Sequence, residues 1–163
     1  MITKICGVKK FDTILCCEKN FVNFFGMIFY KKSPRNINID NADLLIKSSK
    51  NLKIKGVGVF VDEKIADLIL LIKKINLKYV QLHGDEDNQY IETLKSFGVK
   101  IIKKISISNK EDLTKINKYL NVDYFLFDYK PKKGDLPGGN SKSFDWIILD
   151  NLNIKKPWFL SGG

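Results

Sequence analysis

Apolar residues along the chain gather into seven short runs, at 2–6, 26–30, 56–61, 79–82, 99–105, 124–128 and 157–161. Most of them show little alternation of polar and apolar positions, the pattern of strands covered on both faces. The fifth is the poorest match, because Lys100, Lys103 and Lys104 interrupt it. Between the runs the apolar spacing becomes helical, and the distances separating them are those of successive βα units in a parallel sheet. The spacing predicts helices over 10–20, with Phe11, Ile14, Leu15 and Cys17 facing inward, and over 41–49, with Asp40 as N-cap. Further helices are expected over 63–75, capped by Asp62, and over 86–97, closed by Gly98. A fifth is expected over 109–119, where Ser108, Glu111 and Asp112 suit a helix start, and a short sixth from Phe144-Asp145-Trp146. One long aperiodic stretch remains, 129–143, which follows the sixth strand and carries Gly134, Gly138 and Gly139. Long loops in compact domains are commonly functional.

Composition narrows the function classes. The 163 residues suffice for one domain with a sizeable core, but an eight-unit βα barrel typically needs about 250. No run of 18 apolar residues and no signal-peptide pattern occur, so a cytoplasmic protein without a membrane partner is expected. Cys6, Cys16 and Cys17 form neither a disulfide framework nor a CxxC pair, and a single His argues against a His-based metal site. The net charge of +10 raises the possibility of nucleic-acid binding. All but one of the 28 basic residues are Lys, however, scattered along the whole length, whereas base reading favours Arg forks with interleaved aromatics. The charge is better suited to attracting small phosphorylated or carboxylated metabolites.

In parallel βα folds the chemistry collects at the carboxyl ends of the strands. Here those ends present Cys6-Gly7, Ser33-Pro34-Arg35, Asp62, Gln81-Leu82-His83-Gly84-Asp85, Asp128 and Ser161-Gly162-Gly163. In a closed or nearly closed barrel they converge on one mouth, with Cys6 and Asp128 on opposite sides. A thiolate and a carboxylic acid placed so suit proton removal at one atom and proton donation at another. Taken alone, each has an ordinary reading as well, a small buried Cys and a loop-capping Asp. Arg35 is the only arginine and offers a planar, two-point fork for a carboxylate.

These segments together resemble the phosphoribosylanthranilate isomerase family of tryptophan biosynthesis. The resemblance rests on Lys4-Ile5-Cys6-Gly7, Gly26 to Tyr30 with Ser33-Pro34-Arg35, Gly58-Val59-Phe60-Val61, and Val80-Gln81-Leu82-His83-Gly84. It continues through Phe127-Asp128, Gly138-Gly139 with Phe144-Asp145-Trp146, and Leu160-Ser161-Gly162-Gly163, in order along the whole chain. It implies a (β/α)8 TIM barrel, here incomplete, with seven of the eight strands present. The implied activity is an Amadori rearrangement of N-(5-phosphoribosyl)anthranilate to 1-(2-carboxyphenylamino)-1-deoxyribulose 5-phosphate, without cofactor or metal. By the same resemblance Cys6 is the general base and Asp128 the general acid.

Arg35, Gln81, His83, Gly162 and Gly163 are the implied substrate contacts. Among them Arg35 would meet the anthranilate carboxylate, His83 would sit at the rim of the site outside the proton transfers, and Gly162-Gly163 would supply half of a phosphate site. A monomer or homodimer is expected of the complete protein. The chain differs from the family in having Gly138-Gly139-Asn140-Ser141 where Gly-Gly-Thr-Gly is usual, and in an insertion-like stretch at 130–136. It is also expected to lack the seventh helix, the eighth strand with its phosphate loop, and the eighth helix. The alternatives are another phosphosugar-binding TIM-barrel enzyme and a basic nucleic-acid-binding protein.

Overall fold

A computed structural model describes the chain except for residues 133, 135–137, 139–141, 151, 162 and 163. Seven strands, β1 (Lys4–Cys6), β2 (Phe24–Ile28), β3 (Lys55–Phe60), β4 (Tyr79–Leu82), β5 (Lys100–Ile107), β6 (Tyr124–Tyr129) and β7 (Trp158–Leu160), form one sheet in chain order. Every pairing is parallel. Four helices, α1 (Phe11–Lys19), α2 (Ile39–Ser48), α3 (Ile65–Ile75) and α4 (Asn88–Lys95), connect the first five strands. The connections after β5 and β6 contain 3₁₀ segments instead, Lys110–Lys118 and Trp146–Leu149. Among the described residues no helix is long and apolar enough to cross a membrane.

Parallel register carries paired residues onto the same face of a sheet, and it defines the inward face here. Cys6 pairs with Gly26, Gly26 with Val57 and Val57 with Tyr79, while Gln81 pairs with Ile102 and Ser106 with Asp128. Phe24 of β2 shows how far the sheet curls. Its ring lies 5.1 Å from Tyr79 of β4, 6.1 Å from Tyr124 of β6 and 5.9 Å from Phe159 of β7, contacts a flat sheet could not make. Together with Val57, Ile102 and Leu126 these rings fill the inside of the curled sheet. Phe25, Met27, Val80, Leu82, Ile101, Ile105, Phe125 and Phe127 point the other way and pack under the helices. The inner strands β2 to β6 are therefore covered on both faces, which explains why most of their sequence runs are nearly continuous in apolar residues.

Several element ends differ from the sequence expectation, each for a local reason. The second strand occupies Phe24–Ile28 rather than 26–30, because its ladder to β3 starts with Phe24 opposite Lys55. The N-cap of α2 is Asn38, whose side chain accepts from Asn41 N, and not Asp40, which lies within the helix. Asp62 does not cap α3, which begins at Ile65. It adopts a left-handed conformation, φ 48°, and its carboxylate accepts from Asp85 N on the next loop. Asp87 caps α4, and Gly98 has the φ of +73° expected of a residue closing a helix. The fifth helix is the 3₁₀ segment Lys110–Lys118, capped by Asn109, with Asp112 accepting from both Ser108 N and Ser108 Oγ.

Candidate active site

The carboxyl ends of β1, β4, β5 and β6 bring Cys6, Gln81, His83, Lys104 and Asp128 to the inward side. Asp128 is buried. Its Oδ1 accepts from Tyr129 N at 2.9 Å, while its Oδ2 lies 3.4 Å from His83 Nε2. His83, also buried, continues the β4 ladder by donating its backbone N–H to Phe60 O and meets Gln81 Nε2 through Nδ1 at 2.9 Å. His83 thus lies against the carboxylate of Asp128, deeper than a rim position. Gly138 of the sixth loop closes over the pair, since a Cβ there would stand 2.8 Å from His83 Nε2 and 3.6 Å from Asp128 Oδ2. Lys104, on the same face of β5, adds a buried cation. Burial pushes its ammonium below the ordinary value, and the negative charge of Asp128 opposes part of that shift.

On the β1 side the thiol has space only because residue 26 is a glycine. A Cβ at Gly26 would meet Cys6 Sγ at 2.9 Å and Lys4 Nζ at 3.1 Å, so thiol and ammonium converge over the same backbone. Gly7 follows with φ +88°, and both its N–H and that of Val8 donate to Gly26 O. Arg35 lies across Gly7, where a Cβ would come within 2.6 Å of Arg35 Cδ, and its Nη1 donates to Cys6 O at 3.4 Å. The guanidinium is exposed at the rim next to Cys6.

Behind the mouth, the loop that carries His83 is fastened by a buried ion pair absent from the sequence expectation. Lys103 Nζ donates to Glu86 Oε2 at 2.7 Å and to Gly84 O at 2.6 Å, while Glu86 Oε1 accepts from Asp62 N and Gly84 N. The Lys103 and Glu86 side chains are 1% and 2% exposed, which makes the pair part of the core rather than the surface. A lysine inside an otherwise buried strand is the sequence signal that could have revealed it. Ser161 N donates to Phe127 O at the end of β7, whereas Gly162 and Gly163, the expected phosphate contacts, lie outside the described residues. Cys17 is buried in the helical layer and Cys16 is exposed, both away from this face.

A curled parallel βα sheet with a thiol, a buried carboxyl–imidazole pair and an arginine at its C-terminal mouth defines a barrel enzyme equipped for proton transfer on a small anionic substrate. Residues 3–163 match the family model of N-(5'phosphoribosyl)anthranilate (PRA) isomerase. The N-(5'-phosphoribosyl)anthranilate isomerase of Sinorhizobium fredii is 40% identical over 166 residues, covering all of this chain and 74% of that protein. The crystal structure of phosphoribosyl anthranilate isomerase from Thermotoga maritima superposes with a TM-score of 0.86 at 27% identity, over all of this chain and 78% of that one. A phosphoribosyl anthranilate isomerase in complex with reduced 1-(o-carboxyphenylamino)-1-deoxyribulose 5-phosphate gives a TM-score of 0.80 at 26% identity, over 100% and 76% of the two chains. The chain belongs to the PRA isomerase family, enzymes of tryptophan biosynthesis built on the (β/α)8 barrel.

Proposed function

We propose that the chain isomerises N-(5'-phosphoribosyl)anthranilate with Asp128 as general acid and Cys6 as general base. The observation that carries this reading is the inward convergence of both side chains at one mouth, with Arg35 on the rim beside Cys6. Protonated Asp128 donates to the furanose ring oxygen as its bond to C1 breaks, which yields a Schiff base. The Cys6 thiolate then takes the proton from C2 to give an enolamine. Loss of the 2-hydroxyl proton and gain of one at C1 complete the ketone. Arg35 holds the aromatic carboxylate through a two-point fork and sets C2 against the sulfur. Gly162 and Gly163 contribute to phosphate binding through backbone N–H groups, as glycine-rich turns at barrel strand ends do.

The edges of β1 and β7 suit an eighth βα unit. Ile5, Trp158 and Leu160 point outward and are 41–43% exposed, an apolar surface of the kind that a helix covers elsewhere in the sheet. With that unit in place the protein acts as a monomer or homodimer. A crystal structure with the reduced product analogue tests the site directly. It should place Cys6 Sγ within about 4 Å of C2 and the Arg35 guanidinium on the aryl carboxylate. A ligand whose C2 lies away from Cys6, or whose carboxylate is held elsewhere, would refute the assignment.

A further inference from the structure

Gln81 is one of the buried polar side chains of the barrel interior, with His83 and Lys104, to which the mechanism above gives no task. It is 2% exposed and donates from Nε2 to His83 Nδ1. Its Oε1 is buried and, alone among the buried side-chain polar atoms of the described residues, has no hydrogen-bond partner. Because an amide N–H donates, Nδ1 must accept with its lone pair, which leaves the ring proton of a neutral His83 on Nε2, facing Asp128 Oδ2 at 3.4 Å. The two ends of an amide have the same shape, so a half turn would present Oε1 to Nδ1 and hold a second ring proton there. Amide orientation and histidine protonation are therefore one coupled variable. The orphaned acceptor counts against the neutral arrangement and in favour of an added proton.

We propose that Gln81 is a positioning residue that sets whether His83 holds one ring proton or two, and so recharges Asp128 with the proton that ring opening consumes. This rests on the acid role of Asp128. Asp128 must carry a proton each time it donates one to the sugar, so a neighbouring store of protons is of direct use. His83 takes a proton from water at Nδ1 and the amide turns to accept from it. The Nε2–H bond then breaks as Oδ2–H forms on Asp128, leaving a neutral imidazole protonated at Nδ1. Asp128 passes its proton to the sugar ring oxygen, and uptake of another proton at Nε2 returns the imidazolium. Among the described residues, Lys104 on β5 faces Asp128, and Asp85 and Glu86 on the loop after β4, Lys103 behind that loop and Asp62 against Gly84 are the further charged groups on this side. Substitution of Gln81 leaves all of these unchanged.

His83 is the only histidine in the chain, so selective ¹⁵N labelling of histidine reads one ring. At alkaline pH the parent should show the Nε2–H tautomer. Gln81→Glu, which offers an anionic acceptor to Nδ1–H, should raise the midpoint of the imidazole titration by about one unit or more, and Gln81→Met should lower it and mix the tautomers. In turnover assays the alkaline limb of the kcat–pH profile should move with these midpoints, upward in Gln81→Glu and downward in Gln81→Met. A side chain that merely fills space would not move the two limbs in opposite directions. An Nδ1–H tautomer in the parent, or titrations that coincide in all three proteins, would overturn the proposal. So would an alkaline limb that ignores a shifted midpoint. A parent without turnover would defeat the isomerase reading itself and this role with it, while the NMR titration would still show whether Gln81 governs His83.

Discussion

Lys103→Met should destabilise the protein far more than its position on the edge of a functional mouth would suggest. The substitution keeps the aliphatic bulk but strips Glu86 of its cation in a site where both side chains are almost fully buried. Removing one member of a buried pair typically costs about 3–5 kcal/mol, because the remaining charge stays desolvated. The low end applies here, since Glu86 keeps the N–H groups of Asp62 and Gly84 as donors. At about 2–4 °C per kcal/mol for a domain of this size, a loss of about 3 kcal/mol lowers Tm by about 6–12 °C. Circular-dichroism melts of purified protein measure this, with Lys47→Met as the reference. The Lys47–Asp43 pair lies along α2 with the lysine 71% exposed, and breaking it should cost less than about 0.5 kcal/mol. Adding Glu86→Gln to Lys103→Met should recover part of the loss by removing the stranded charge. The loop held by the pair carries His83, so kcat should fall as well. A Lys103→Met melt within 2 °C of the parent, no different from Lys47→Met, would refute the reasoning.

Arg35→Lys keeps the charge but gives up the two-point fork, and kcat/KM should drop about 5- to 150-fold, the equivalent of about 1–3 kcal/mol for charge-assisted hydrogen bonds. Steady-state constants equal to those of the parent would remove the carboxylate-clamp role. Asp112 offers a pH test. Burial pushes its carboxyl up, but hydrogen bonds from Lys115 and Ser108 outweigh that and hold it well below the usual carboxylate range. A carboxyl depressed in the folded state stabilises above its unfolded value, about 4, and loses that contribution as pH falls toward the folded one. The stability gap between parent and Asp112→Asn, from urea unfolding, should therefore be flat from about pH 5 to 8 and shrink below about pH 4. A gap that widens on acidification would contradict this.

The parallel fold was legible because strands covered on both faces read as apolar runs, and six of the seven fall where those runs lie, with β2 displaced by two residues. Helix starts were less legible. Asp40 and Asp62 are good capping residues by type, but Asn38 and the loop-to-loop bond from Asp62 to Asp85 N use the geometry of neighbouring segments, which spacing along one segment does not reveal. The same holds for the site. Cys6 and Asp128 stand at strand ends and Arg35 in the loop after β2, where a barrel concentrates its chemistry, and they could be named from that pattern and the family resemblance. The contact between His83 and Asp128 joins β4 to β6, and the Lys103–Glu86 pair joins β5 to the loop after β4. Both depend on the curl and register of the sheet. Gly26 and Gly138 carry their meaning only once Cys6 and His83 occupy the space that a side chain would have taken.

The division of labour between Cys6 and Asp128 is tested most directly by turnover of N-(5'-phosphoribosyl)anthranilate, followed by the change in its fluorescence, for the parent, Cys6→Ser and Asp128→Asn. Measurements are made with and without an added eighth βα unit taken from a relative, and circular dichroism confirms that the variants keep the parental fold. The parent should isomerise the substrate, more effectively with the added unit, and each variant should lose at least about 10²-fold, the usual contribution of a positioned acid or base. Parental turnover by either variant, or no turnover by the parent in either condition, would contradict the account.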